Sequence, residues 1–148
     1  MNRSRAERAA QARARLASEP NVWVATASSE GDPHLVPLSL AWIDDQIIVA
    51  TPSDTLTARN AQRNGRGRAA LDGADEVVIF DVHIDVADFG EASPSLTQRY
   101  VERVGWDPRD IPGAWSLLVL TIWRGQAWNG PGEMTGRTIV GEGNWLDD

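Results

Sequence analysis

The sequence predicts a mainly β protein with helices, in which six or seven antiparallel strands close into a small barrel. Three observations predict it. From Asn21 onward, β-branched or alternating apolar runs are separated by short polar turns; two amphipathic helical stretches interrupt them; and strand and helix do not alternate as a parallel sheet requires. At 148 residues, with 42% hydrophobic and 24% charged residues, the chain has the length and composition of one folded domain. Two parts are expected, an N-terminal helix or arm over residues 1–20 and a barrel domain over residues 21–148.

Residues 4–16 are rich in Ala, Arg and Glu, which favour helix. Their apolar stripe is mostly alanine, so the stretch reads as a weakly anchored helix or arm. Its arginines, Arg3, Arg5, Arg8, Arg13 and Arg15, read as a solvated face rather than a nucleic-acid contact. Val22 to Ser28 is β-branched and aromatic, Ser29 to Pro33 has turn chemistry, and His34 to Trp42 is apolar again, which predicts a hairpin. A second tight turn at Asp44 to Gln46 leads into Ile47 to Thr51 and completes a three-stranded meander. Pro37 inside the second strand predicts an edge, a bulge, or a place where a ligand replaces the neighbouring strand.

Ser53 or Asp54 is expected to cap a helix that ends at Asn64-Gly65, where glycine suits a left-handed terminus. Arg68 to Asp72 and Glu76 to Asp85 read as two further strands. Ser93-Pro94 opens a second helix, in which Leu96, Tyr100 and Val104 recur every four residues until Gly105. After a loop to Gly113, Ala114 to Trp123 is the strongest strand pattern in the chain. A turn at Arg124-Gly125, the segment Gln126 to Trp128, a glycine-rich loop, Gly136 to Val140 and a tail containing Trp145 complete the reading.

Composition excludes several chemistries. A formal charge of -7 argues against attraction of the whole surface to nucleic acid or an anionic membrane. With no cysteine and no lysine, thiolate metal sites, cysteine nucleophiles and lysine Schiff bases are excluded. His34 and His83 lie in different strands, and no metal site is expected from them. A G-x-S-x-G nucleophile elbow is absent, and no catalytic acid or base stands out. With no apolar run of about 18 residues and no secretory leader pattern, a cytoplasmic protein without membrane or nucleic-acid partners is expected.

Against this acidic background, Thr51 to Arg68 gathers Arg59, Arg63, Arg66 and Arg68 with no acid after Asp54. Arginines at i, i+4 and i+7 of a helix would repel one another by a few tenths of a kcal/mol per pair, and an anion would offset that. A strand end followed by a helix start also presents backbone N–H groups without internal partners. The candidate anion site is therefore Thr51 to Asn60, with hydroxyl donors on Ser53, Thr55 and Thr57 and the planar guanidinium of Arg59. The alternative is a capped surface helix whose arginines meet only water. Among the seven tryptophans, Trp23, Trp42, Trp115 and Trp123 read as core or interface; Trp106, Trp128 and Trp145 read as pocket, subunit contact or loop packing.

These pieces coincide with a known pattern. A first strand containing Ala25-Thr26, a Gly-x-Pro-His turn at Gly31 to His34, the Val36-Pro37 strand, the Arg59-Asn60 pair and the strand entry at Arg68 resemble the opening of the pyridoxamine 5'-phosphate oxidase-like split β-barrel proteins. The segment Gln126 to Leu146 is similar to the ends of a subgroup described as dependent on the deazaflavin coenzyme F420. The resemblance implies a split barrel, a homodimer with cofactor sites at the subunit interface, and coenzyme F420 or flavin mononucleotide (FMN) as ligand. It implies phosphate contacts at Thr51, Ser53, Thr55, Thr57, Arg59 and Asn60, and ring contacts at Pro37, Leu38, Ser39 and Ala50. Many relatives carry a basic residue where this chain has Leu56 or Thr57. The expected activity is hydride transfer to or from a small organic substrate on F420; an FMN oxidoreductase and a non-catalytic storage protein are the alternatives.

Overall fold

The computed structural model describes residues 2–148. Its helices are α1 (Arg5–Ser18), α2 (Leu56–Asn64) and α3 (Pro94–Val104). Its strands are β1 (Asn21–Ala27), β2 (Pro33–Ser39), β3 (Ala41–Ile43), β4 (Gln46–Pro52), β5 (Arg66–Ala70), β6 (Val77–Asp88), β7 (Trp115–Trp128), β8 (Thr138–Gly141) and β9 (Asn144–Trp145). Every pairing is antiparallel, along the path β2-β1-β5-β6-β7-β4-β3, with β8 added to β7 and β9 to β8. The two ends of this path, β2 and β3, are consecutive in the chain and separated only by Leu40. A sheet whose edges are tied so closely must curl until they approach, and its right-handed twist supplies the curvature. The result is a split barrel.

The expected single strand from His34 to Trp42 is therefore two strands. Leu40 makes the corner: its N–H donates to the Pro20 carbonyl at 2.9 Å, and its side chain is buried. The meander becomes two hairpins at opposite ends of the path, β1–β2 and β3–β4. The second turns through Asp44 and Asp45, both at positive φ (51° and 59°), as a tight two-residue hairpin turn demands. Pro37 lies on β2, an end strand of the path, where its missing N–H breaks no ladder on the outer side.

The expected turn at Arg124-Gly125 does not occur. Strand β7 runs on to Trp128 because β6 pairs with it from Val77 to Asp88. A register shift between Asp81 and Val82 accommodates Trp123 as the extra residue of a bulge. Gly125 is required for packing: a Cβ there would lie 2.8 Å from the Phe80 ring.

Strand side chains of one parity fill the barrel, among them Val22, Val24, Val49, Phe80, Leu118 and Leu120. The α1 stripe belongs to the same core, which corrects the expectation of a weakly anchored helix or arm. Ala9, Ala12 and Leu16 are at most 1% exposed. Small alanines let the helix backbone approach the barrel mouth, so a stripe of low hydrophobicity still buries completely. Nor are its arginines a solvated face. Arg8 is buried and donates to the carbonyls of Glu133 (3.0 Å) and Gly136 (3.2 Å), and Arg3 pairs with the buried Glu133 at 2.7 Å. Trp145 resolves as packing: it meets Trp42 and Phe80 edge to face at 6.3 and 6.1 Å, with the Arg13 guanidinium 4.3 Å over its ring. A second cluster joins α3 to the outer side of β3, β4 and β7 through Tyr100, Phe89, Ile48, Ala50 and Leu117.

Candidate functional site

The segment from Thr51 to Asn60 joins the end of β4 to α2. Its cap is Thr55 rather than Ser53 or Asp54. The Thr55 hydroxyl accepts from the Ala58 N–H (3.2 Å) and donates to the Pro52 carbonyl (2.9 Å). With its proton so engaged, Thr55 must be the acceptor in its 3.2 Å contact with the Thr51 hydroxyl. Thr51 and Thr55 thus hold the turn and have no proton left for a ligand. Ser53 and Ser116 share a 2.7 Å hydrogen bond that leaves one hydroxyl proton of the pair free. Thr57 is 1% exposed, and its hydroxyl has no partner among the described residues. The N–H groups of Leu56 and Thr57, in the first turn of the helix, have no acceptor among the described residues.

Asn60 is buried and donates from Nδ2 to the Thr26 hydroxyl at 3.1 Å, which ties α2 to β1. Arg59 points to the exposed side and has no hydrogen-bond or ion-pair partner among the described residues. Arg63 is engaged: its guanidinium donates to the Ala27 carbonyl. Gly65, at φ 65°, ends the helix, so Arg66 and Arg68 belong to β5 and do not share a helix face with Arg59 and Arg63. Arg68 is held by Asp81 at 2.6 Å.

A pocket of about 310 Å³ opens beside this segment, lined by Ser53, Arg59, Gln62, Arg63, Val86 and Ser116. A second hollow of about 480 Å³ lies on the other side of Ser53, against Asp54, Ile111 and Trp115. Ser53 lines both. A larger hollow, about 690 Å³, lies elsewhere, over β1, β5 and β6.

The residues expected to meet a ring are arranged differently. Pro37 is exposed on β2 opposite Trp23, while Leu38 packs against the barrel core. Ser39 and Ala50 are joined by Tyr100, whose hydroxyl donates to the Ser39 carbonyl (3.0 Å) and accepts from the Ala50 N–H (3.2 Å). Burial pushes the Tyr100 phenol well above its ordinary value, so it stays protonated and keeps both bonds. Pro37, Leu38, Ser39 and Ala50 line none of the three hollows. The structure gathers Ser53, Thr57 and Arg59 at one helix terminus, and β2 packs against α2 without lining the hollows beside that terminus.

The family model for pyridoxamine 5'-phosphate oxidase matches residues 9–129, from within α1 to the end of β7. The chain belongs to the pyridoxamine 5'-phosphate oxidase family. Solved structures with the same fold include a conserved hypothetical protein, Rv2991, from Mycobacterium tuberculosis, at 20% identity and TM-score 0.67 over 81% of this chain and 83% of that one. A heme binding protein from Mycobacterium smegmatis aligns at 18% identity and TM-score 0.66 over 97% of this chain and 60% of its own. A structure described as an F420 reductase aligns at 15% identity and TM-score 0.56 over 71% of this chain and 88% of its own. A search of curated protein sequences returned no match. No helix among the described residues is long and apolar enough to cross a membrane, and no group of His, Cys, Asp or Glu among them is arranged to hold a metal ion.

In this member of the oxidase family, sequence reasoning missed Ser116, Gln62 and Val86, which line the Arg59 pocket. Ser116 lies opposite Thr51 in the β4–β7 register, a pairing invisible before the strand order is known. It also missed Glu133, a buried acid in a glycine-rich loop. Hydrogen bonds from the Arg3 guanidinium, then from the Arg3 and Asn129 N–H groups, hold its carboxyl at about 2 despite burial.

Proposed function

We propose that the chain binds coenzyme F420 at the N-terminus of α2, as a homodimer, and supports hydride transfer between the deazaflavin and a small organic molecule. One observation carries this reading: in a chain of net charge -7, Arg59 stands without a partner beside a pocket at a helix terminus that also offers unpaired N–H groups. The donor set fits a phosphodiester. It comprises the N–H groups of Leu56 and Thr57, the orphan Thr57 hydroxyl, the free proton of the Ser53–Ser116 pair, and the Arg59 guanidinium.

When bound, the deazaflavin supplies the hydride chemistry itself. The chain's own residues bind and orient. Arg59 neutralises phosphate charge, Thr51 and Thr55 fix the turn, and Asn60 holds α2 against β1 through Thr26. Exposed Pro37 offers an apolar edge for the ring, while the Tyr100 hydroxyl fixes the Ser39–Ala50 spacing behind it. A pocket of about 310 Å³ is too small for a whole dinucleotide-sized cofactor, so we assign the second wall to another copy of the chain. The exposed Leu35, at 61%, lies on the same outer β2 face as Pro37 and supports that assignment. Arg63, which lines the same pocket as Arg59, suits an acidic tail. The chain acts on a small-molecule substrate with neither membrane nor nucleic acid as partner, and in the cytoplasm.

The test is a pair of tryptophan-fluorescence titrations of the apo protein, one with F420 and one with FMN. Saturable quenching by F420 at lower concentration is the expected result. Tighter binding of FMN replaces the cofactor in this reading, and silence from both ends it. F420 binding without turnover across a substrate screen would leave a storage protein.

A further inference from the structure

We propose that Asn129-Gly130 is a site of spontaneous modification, at which the Asn129 side-chain amide converts to aspartate and isoaspartate and loosens the clamp that Arg3 and Arg8 hold on the glycine-rich loop. The chemistry involves no residue of the α2 terminus, so it does not rest on the cofactor reading. Two asparagines in the chain precede glycine, Asn64 and Asn129. Glycine has no side chain to shield its nitrogen, so in a disordered chain both pairs are open to the same intramolecular attack. The glycine nitrogen bonds to the asparagine Cγ, its proton passing through water to Nδ2; the Cγ–Nδ2 bond breaks and ammonia leaves. Water then opens the cyclic imide at either carbonyl, giving aspartate or isoaspartate. Water is consumed, ammonia is released, and nothing is oxidised or reduced.

The fold treats the two pairs differently. Asn64 ends α2, where the Gly65 N–H donates to the Ala61 carbonyl at 2.8 Å and the Gly65 carbonyl accepts from the Ile84 N–H at 2.8 Å. The Asn64 Oδ1 is also engaged, by the Arg66 N–H at 3.0 Å. Attack there must first break the end of the helix. The Gly130 N–H, by contrast, has no acceptor among the described residues, and a Cβ on Gly130 would meet nothing within 4 Å. Asn129 is exposed, so water reaches its amide and ammonia can leave. The Arg3 guanidinium donates to the Asn129 Oδ1 at 2.8 Å and so stands where negative charge develops during attack.

The consequence follows from what Asn129 holds. Its N–H donates to Glu133 Oε1 at 2.8 Å, and the same oxygen accepts from Arg3 at 2.7 Å. Aspartate keeps this backbone, and its carboxylate can take the Arg3 contact. Isoaspartate runs the chain through the side chain and adds a methylene to the backbone, so Arg3 and Glu133 cannot both keep their hold on residue 129.

The test is ageing of the full chain at mildly alkaline pH, with mass spectrometry of proteolytic peptides that span each pair and isoaspartate counted by enzymatic methyl labelling. In the folded chain Asn129 should convert roughly tenfold or more faster than Asn64, because Asn64 must wait for a backbone hydrogen bond to break. In urea the two should convert at comparable rates. Gly130 lies at φ 167°, extended backbone that any residue adopts, so Gly130→Ala should fold as before. Its methyl shields the attacking nitrogen and should slow Asn129 conversion by roughly tenfold or more. The melting temperature of the aged chain should fall in proportion to its isoaspartate content. Folded chain in which Asn64 converts as fast as Asn129, or in which Asn129 converts only in urea, overturns the proposal. So does an unchanged rate in Gly130→Ala, or an isoaspartate-rich chain that melts as the fresh one does. Should Gly130→Ala fail to fold, the comparison of the two pairs in the unaltered chain still decides.

Discussion

Arg59 is the residue on which the cofactor reading turns, because its charge is exposed and has no partner among the described residues. Arg59→Ala should weaken F420 binding about tenfold or more, from the roughly 1.5–3 kcal/mol of a charge-assisted hydrogen bond, while the melting temperature stays put. Unchanged affinity in the fluorescence titration would remove it from the site. Tyr100 is the opposite case, a fully buried hydroxyl with two backbone partners. Tyr100→Phe leaves the Ser39 carbonyl and the Ala50 N–H without a partner, and should cost about 1–3 kcal/mol in urea denaturation. Glu133 links residue chemistry to pH. Its folded carboxyl, at about 2, lies below the ordinary 4.5, so the stabilisation is complete above 4.5 and is lost as pH falls toward 2. The melting temperature should drop across that window, and Glu133→Gln should flatten the drop. An equally steep acid limb in the variant would assign it to other carboxylates.

At the scale of elements, α1 departs furthest from what its sequence suggests. A helix whose apolar stripe is mostly alanine reads as removable, yet Ala9, Ala12 and Leu16 are sealed against the barrel and Arg8 and Arg3 clamp the loop around Glu133. Leu16→Ala should cost about 2–4 kcal/mol, typical of a buried leucine truncation, and deleting residues 1–16 should abolish cooperative melting. A truncated chain that still melts cooperatively would show the helix to be dispensable. Element boundaries that followed local chemistry were legible: glycine ends α2 at Gly65 and α3 at Gly105, and Pro94 opens α3. Boundaries decided by a neighbouring strand were not. Gly125 resembles a turn residue, but β6 pairs straight across it, and glycine is there because Phe80 leaves no room for a Cβ.

For the whole molecule, the two hollows described beside the start of α2 are lined without any β2 residue. If a second copy completes the cofactor site, dilution below the dimer constant should release F420, followed by ultracentrifugation with absorbance of the cofactor. Stoichiometric binding by a stable monomer would contradict the shared site. The fold was legible because strand periodicity and turn residues are local signals, and the family motifs lie in the same stretches. The helix start from which the anion site is proposed was legible for the same reason: a helix start followed by arginines without acids is written in consecutive residues. What the sequence determined by itself is therefore the antiparallel barrel, the glycine ends of α2 and α3 and the arginine-bearing segment. Only the tertiary structure decided that Ser116 faces Ser53, that Arg59 and Arg66 serve different hollows, that Tyr100 bridges Ser39 and Ala50, and that Trp123 stands outward. Each depends on which strands pair and in what register, and pairing is fixed by side chains far apart in the chain that meet only when the sheet curls closed.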